Sequence, residues 1–212
     1  MTNTRDPILQ PIPILSLRPT QMTVGMIEVK EKRKRLREHL REHKSKTQPG
    51  EYLGRHMIPV VLGPAQRHYV VDHHHLARAL HEEGVKDILV TVIADLTMVD
   101  RDAFWGVLDN HRWVYPYDAK GERHHFKDIP KTVDKLKDDP FRSLAGEVRR
   151  MGGFAKDTTP FSEFLWADFL RRKMSRASVD ENFKKATEKA LGFAKSKDAV
   201  YLPGWCGAAS DD

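Results

Sequence analysis

The chain has 212 residues, 40% of them hydrophobic and 31% charged, which suits one soluble domain or a compact domain with a second part appended. No run approaches the roughly 18 apolar residues of a membrane span, and the opening MTNTRDPILQPIPILSL lacks the basic-then-apolar order of a secretory leader. Cys206 is the only cysteine, which excludes an intramolecular disulfide and a cysteine-based zinc cluster and fits a reducing cytoplasm. The net charge is +6, and the stretch Lys30 to Lys46 alone holds nine Lys/Arg against three Glu. Such a stripe suits a polyanion, whose released counterions drive association; it also suits a solvated helix face with Glu/Lys pairs.

PIPILSL (11–17) reads as a short strand, confined to an edge by Pro11 and Pro13. From Met26 to about Lys44 the pattern predicts a helix, with Val29, Leu36 and Leu40 on one stripe and Gln48-Pro49-Gly50 ending it. MIPVVL (57–62), the turn GPAQ and RHYVV (67–71) predict a hairpin. A helix follows from His73 to Glu83, with Asp72 as N-cap and Gly84 as its stop. DILVTVIADL (87–96) is rich in β-branched residues and predicts a strand.

After Leu96 the character changes. Thr97 to Asp100 has the capping-box pattern and opens a helix carrying Phe104, Trp105 and Leu108. WVYPYDAKGERHHF (113–126) is an aromatic loop, and short helices are expected at 131–137 and 141–151. A stronger helix runs from Pro160 to Met174 with Thr159 as its cap, and Ser178 with Glu181 marks another start. The expected class is α+β: a small mixed sheet with helices over 1–96, then an all-helical extension over 97–212.

Three segments, ILSLRPTQ, MIPVVLGPAQRHYVVDHHHLARAL and VKDILVTVIADL, in this element order, resemble the ParB/sulfiredoxin superfamily. The blocks VDHHHLARAL, DDPFRSLAGEVR and PFSEFLWADFLRR narrow the resemblance to the ParB-like nuclease family, over nearly the whole chain. The resemblance implies a phosphate site at the N-terminus of the helix after the hairpin, where free N–H groups and the helix dipole attract anions. At that turn His73 stands where relatives carry Gly, His75 where the sulfiredoxin and serine-kinase branches carry His, and Leu76 where they carry Arg. Arg78 falls where partitioning proteins carry a later Arg. The kinase branch's catalytic Glu is replaced by Thr20 and Gln21, and the nearest carboxylate is Glu28.

These residues define two function classes. The first is a nuclease-like enzyme on phosphate esters. His75, His74 and Asp72 are its candidate catalytic groups, because imidazole suits proton transfer near neutral pH. His73, Arg78 and Arg18 would receive the phosphate, and Lys32, Arg33, Lys34 and Arg35 would hold the polyanion. A divalent metal on His73, His75 and His111 is a candidate cofactor, with Asp72, His124 and His125 as further donors, suited to zinc, manganese or iron. The second class is a non-catalytic, chromosome-partitioning-like module that binds nucleotide or DNA through the basic helix 30–46. The partner in both is a nucleotide or nucleic acid, and no membrane is expected.

Other strings carry less. HLREH, His39 to His43, matches an inverted zinc-peptidase pattern but sits among Lys and Arg, which disfavour a dication. NHRWVYPYDAKG (110–121) could stack a base or seal the joint between the two parts. In DDPFRSLAG, Asp139 reads as a helix cap, with Arg142 pairing Asp138 or an anion. No Walker loop, G-x-G-x-x-G or helix-turn-helix signal is present.

Overall fold

The computed structural model describes residues 11–42 and 56–207. In chain order the elements are β1 (Ile12–Pro13), β2 (Arg18–Pro19), β3 (Thr23–Val24), α1 (Met26–Glu42), β4 (Ile58–Gly63), β5 (Arg67–Val70), α2 (His74–Glu82), β6 (Asp87–Ile88), β7 (Val90–Asp95) and α3 (Arg101–Asn110). They continue as β8 (Lys137–Asp138), α4 (Pro140–Arg150), α5 (Ser162–Lys173), α6 (Arg176–Glu181) and α7 (Phe183–Lys195). The fold is α+β. His43, Lys44, Lys46 and the predicted stop at Gln48-Pro49-Gly50 lie outside the described residues.

The chain forms two compact units. One lies within Met1–Met22, Val29–Pro116 and His124–Leu136; the other lies within Thr23–Glu28, Tyr117–Arg123 and Lys137–Asp212. The main run of the second unit opens at Lys137. The reason is packing: Phe104, Trp105 and Leu108 of α3 share a core with Met22, Val61 and Tyr69, so α3 belongs to the mixed unit.

In that unit four strands make a mixed sheet in the order β2-β5-β4-β7. β4 and β5 form the expected hairpin, and β2 and β7 join it in parallel. The connecting turn holds Ala65 and Gln66 at φ 60° and 57°. Ile58, Val60, Val61 and Val70 are fully buried. Gly63 closes β4 where no side chain fits: a Cβ there would stand 2.6 Å from the Tyr69 ring and 2.7 Å from the Phe104 ring. Val29 and Leu36 of the α1 stripe are buried as expected.

Local chemistry moved several boundaries. Only Ile12 and Pro13 of 11–17 are strand; a 3-10 turn over Ile14–Ser16 follows. The 87–96 strand breaks at Leu89, so that β6 pairs with β1 while β7 pairs with β4. Helix α3 starts at Arg101 because Asp100 caps the amides of Asp102 and Ala103, while Thr97 is held back by its bonds to Asp95. In place of the helix expected at 131–137 there is a 3-10 turn, Val133–Lys135, followed by the start of β8.

The helical unit packs α4 to α7 around Phe141, Leu144, Val148, Phe154, Trp166, Phe169 and Leu170. Asp139 caps α4 as expected, accepting from the Phe141 amide at 3.0 Å. Helix α5 starts at Ser162 after Phe161 at φ 61°, not at Pro160. Ser175 caps α6 and Asn182 caps α7, so Ser178 receives a cap rather than supplying one.

Candidate functional site

Strand β5 ends at Val70, and the turn Asp72–His75 leads into α2. Asp72 and His73 are exposed; His74 and His75 are buried. The Asp72 carboxylate accepts the His73 amide at 2.6 Å, holding the turn closed on its outer side. His73 is the N-cap, and its backbone is left-handed, with φ 63° and ψ 25°. That is the conformation glycine adopts without cost and a branched side chain adopts at about 1–2 kcal/mol. The position where relatives carry Gly thus keeps a glycine-like backbone under a histidine side chain. The His73 side chain makes no cap bond to the first turn of α2.

His74 faces inward. Its Nε2 accepts the Thr20 amide at 3.1 Å, while the Thr20 hydroxyl donates to the Val70 carbonyl at 2.7 Å. An imidazole that accepts at Nε2 carries its proton on Nδ1 when neutral. Burial pushes its pKa down to about 3, and the neighbouring His75 adds to the fall. His74 is therefore a neutral clasp between the end of β2 and the start of α2. Its Nε2 lone pair is spent on Thr20 and is not offered to a metal or a substrate. Thr20, the partner that makes this clasp, was legible only as a departure from the kinase pattern.

The other candidates are dispersed. Leu76 is buried. Arg78 lies in the next turn, where its Nη1 donates to the carbonyls of Asp134 at 2.8 Å and Leu136 at 3.0 Å, and its Nε to Glu82 at 2.8 Å. It holds the 133–136 turn against α2, which engages the donors expected to face a phosphate. Arg18 donates to the Lys131 carbonyl at 3.1 Å and lines a cavity that contains no residue of the turn 72–75. His111 is exposed at the end of α3 and stacks on Trp113 at 4.4 Å. Among the described residues no group of three metal-ligating atoms includes one from Asp72, His73, His74, His75, His111 or His125. The triad His73, His75 and His111 is accordingly not assembled, since adjacent residues at a helix start diverge.

The basic helix divides into two sets. Arg33 pairs with Glu82 at 2.7 Å and Glu83 at 2.5 Å, and Arg37 grips Glu83 at 2.7 Å. The Glu83 carboxyl is held down at about 2, first by its hydrogen bond from Arg37. Lys34 and Arg35 remain exposed, Lys34 facing Glu38 at 3.9 Å, and Lys32 is half-buried. The acidic end of α2 thus neutralises part of the charge that the sequence assigned to a polyanion.

The helical unit holds its own charge cluster. Asp139 is 2% exposed at its side chain and pairs with Arg171 at 2.7 Å. Burial raises the Asp139 pKa despite that pair. Arg142 meets Glu28 and Glu163 only at 3.8 Å, and Arg149 also bonds Glu163. The partners of Arg142 are these two glutamates rather than Asp138.

The sheet order, the hairpin and the histidine turn define a ParB-like fold, and the match to known proteins agrees. Residues 10–172 match the family described as "Putative ParB-like nuclease", and the chain belongs to that family. It is similar to the crystal structure of protein Atu1540 from Agrobacterium tumefaciens, at 47% identity and a TM-score of 0.87, over 96% of this chain and 98% of that one. No curated protein matches the chain. Among the described residues no helix is long and apolar enough to cross a membrane.

Proposed function

We propose that the protein is a phosphate-ester enzyme of the nuclease kind, acting on a nucleotide or nucleic acid at the turn Asp72–His75. One observation carries the reading: the N-cap residue of α2, His73, makes no side-chain cap bond and is exposed in a left-handed backbone. Leading N–H groups and the positive end of a helix dipole hold a phosphate there. In this reading water attacks phosphorus, one imidazole takes its proton, and another returns a proton to the departing oxygen. His73, at the surface, and His75, where related branches keep a histidine, are assigned those roles. Asp72 fixes the turn, and neutral His74 positions it. The expected result is loss of turnover by at least about 100-fold in His75→Ala and in His73→Ala, with nucleic-acid retention preserved. The assay is product release from single-stranded and duplex DNA, RNA and nucleoside phosphates.

A second reading, retention without turnover, draws on the exposed Lys34 and Arg35 of α1. It predicts that neutralising Lys32, Lys34 and Arg35 removes retention and flattens its salt dependence, with no product at any time. Neither behaviour in purified protein would sink both.

A further inference from the structure

The mixed unit contains a cavity of about 60 Å³ lined by five cations, Arg18, Arg67, Arg101, Lys127 and Lys131, and by no carboxylate. Taking the usual minimum of about 10–15 Å³ for one water, that is room for roughly four or five heavy atoms, the size of one phosphate group. None of the five has a carboxylate partner among the described residues. Five positive charges about one hollow repel one another, and an anion removes that penalty.

The nearby acids are turned away by the local folding. Asp128, within the loop that supplies Lys127 and Lys131, accepts the His125 amide at 3.2 Å. Asp100, beside Arg101, is spent on the cap of α3, with both bonds at 2.9 Å. Arg101 is the first residue of that helix, so the dipole adds to the positive field. Arg18 is fixed by its bond to the Lys131 carbonyl at 3.1 Å, which draws β2 and the loop together across the cavity.

The wall beside these cations is aromatic. Trp105 and Phe126 stack at 5.2 Å with 12° between their planes, and Tyr69 meets Trp105 edge-on at 5.5 Å. Trp105 is 8% exposed and fixed in the core, whereas Phe126 is half-buried at the cavity edge. A half-exposed ring backed by a rigid one is a platform for a base, and cations beside it suit the phosphate of the same nucleotide.

We infer that this cavity is a second nucleotide-phosphate site, separate from the turn Asp72–His75, that takes one phosphate among Arg18, Arg67 and Arg101 and sets the attached base against Phe126. The nucleotide comes either from a single strand of nucleic acid or from a free monophosphate, and the site does not depend on turnover at the histidine turn.

The test uses the full chain and four probes: inorganic phosphate, adenosine monophosphate, an eight-nucleotide single-stranded DNA and a phosphoserine peptide. Arg67 and Arg101 are exposed, so the double variant Arg67→Gln/Arg101→Gln keeps its fold, which a melting curve verifies. The expected result is DNA binding weakened at least about tenfold, with the slope of log K against log salt reduced by about two. Phe126→Leu weakens binding of the monophosphate and the DNA but leaves inorganic phosphate unchanged. Displacement of the DNA by the monophosphate identifies a free nucleotide as occupant; resistance to displacement identifies the strand. Wild-type affinity and salt slope in the double variant overturn the assignment. So does binding of the phosphopeptide in preference to both nucleotide probes, or binding of none of the four. Turnover in His75→Ala, measured separately, tests the histidine turn alone, so the two assignments fail independently.

Discussion

Acid should loosen the mixed unit through His74. In the folded chain its pKa is pushed down to about 3 by burial, whereas an unfolded histidine titrates at about 6.5. The folded value is the lower one, so the unfolded state binds the extra proton, and stability falls as pH drops through 6.5 and levels off near 3. Linkage sets the loss between pH 7 and pH 5 at about 2 kcal/mol, because each unit below 6.5 costs about 1.4 kcal/mol. Any folded value under about 4 gives the same loss, since the native ring then stays neutral across that window. The assay is a pair of urea titrations, at pH 7 and pH 5, on the wild type and on His74→Gln. Glutamine keeps an acceptor for the Thr20 amide but carries no titrating ring. With a slope of about 1–3 kcal/mol per molar urea, the wild-type midpoint should fall by about 1 M more than that of the variant. Parallel falls in the two proteins would refute the reasoning, whatever their absolute stabilities.

Other expectations follow from particular contacts. Glu82→Gln/Glu83→Gln releases Arg33 and Arg37 from the end of α2 and loosens the bond from Arg78 to Glu82; each charge-assisted bond lost by the half-buried Arg33 and Arg78 costs about 1–2 kcal/mol. If α1 holds a polyanion, retention of DNA on this variant becomes tighter and steeper in salt. Gly63→Ala drives a methyl group into the Tyr69 and Phe104 rings, so denaturant melts should show a loss of about 1–3 kcal/mol. Asp139→Ala takes from Arg171 one of its two carboxylate partners, Asp168 remaining, and removes the α4 cap. The expected loss is about 1–3 kcal/mol in the helical unit, read by urea unfolding; Asp139→Asn, which keeps a cap acceptor, should lose less.

What the sequence made legible was carried by strong local signals. The β4–β5 hairpin, α2 and the Asp139 cap each announce themselves in a few adjacent residues. The misplaced starts have a common cause. Thr97 and Thr159 sit in cap-like positions, but Asp95 and Asp157 bond their amides into tighter turns. Competing side-chain bonds of that kind cannot be ranked from spacing. The split at Leu89 depends on β1, more than seventy positions away in the chain, being there to pair with β6. In sequence α3 looks like the start of a helical series, while its Phe104, Trp105 and Leu108 share a core with Met22, Val61 and Tyr69.

The site was half legible for a related reason. Sequence locates the turn and the identity of its residues, but the direction of each imidazole depends on a backbone angle. With His73 left-handed, the next residue swings inward to Thr20, and the three adjacent histidines separate into one exposed and two buried. His73, His75 and His111 accordingly share no three-ligand group among the described residues. The cation cavity was invisible for the opposite reason. Its Arg18, Arg67, Arg101, Lys127 and Lys131 come from four separate segments, none charged enough to stand out. The basic run that did stand out, on α1, lies across the chain's own Glu82 and Glu83. A charge count along the sequence therefore points to the helix, whereas five cations without carboxylate partners among the described residues line one cavity.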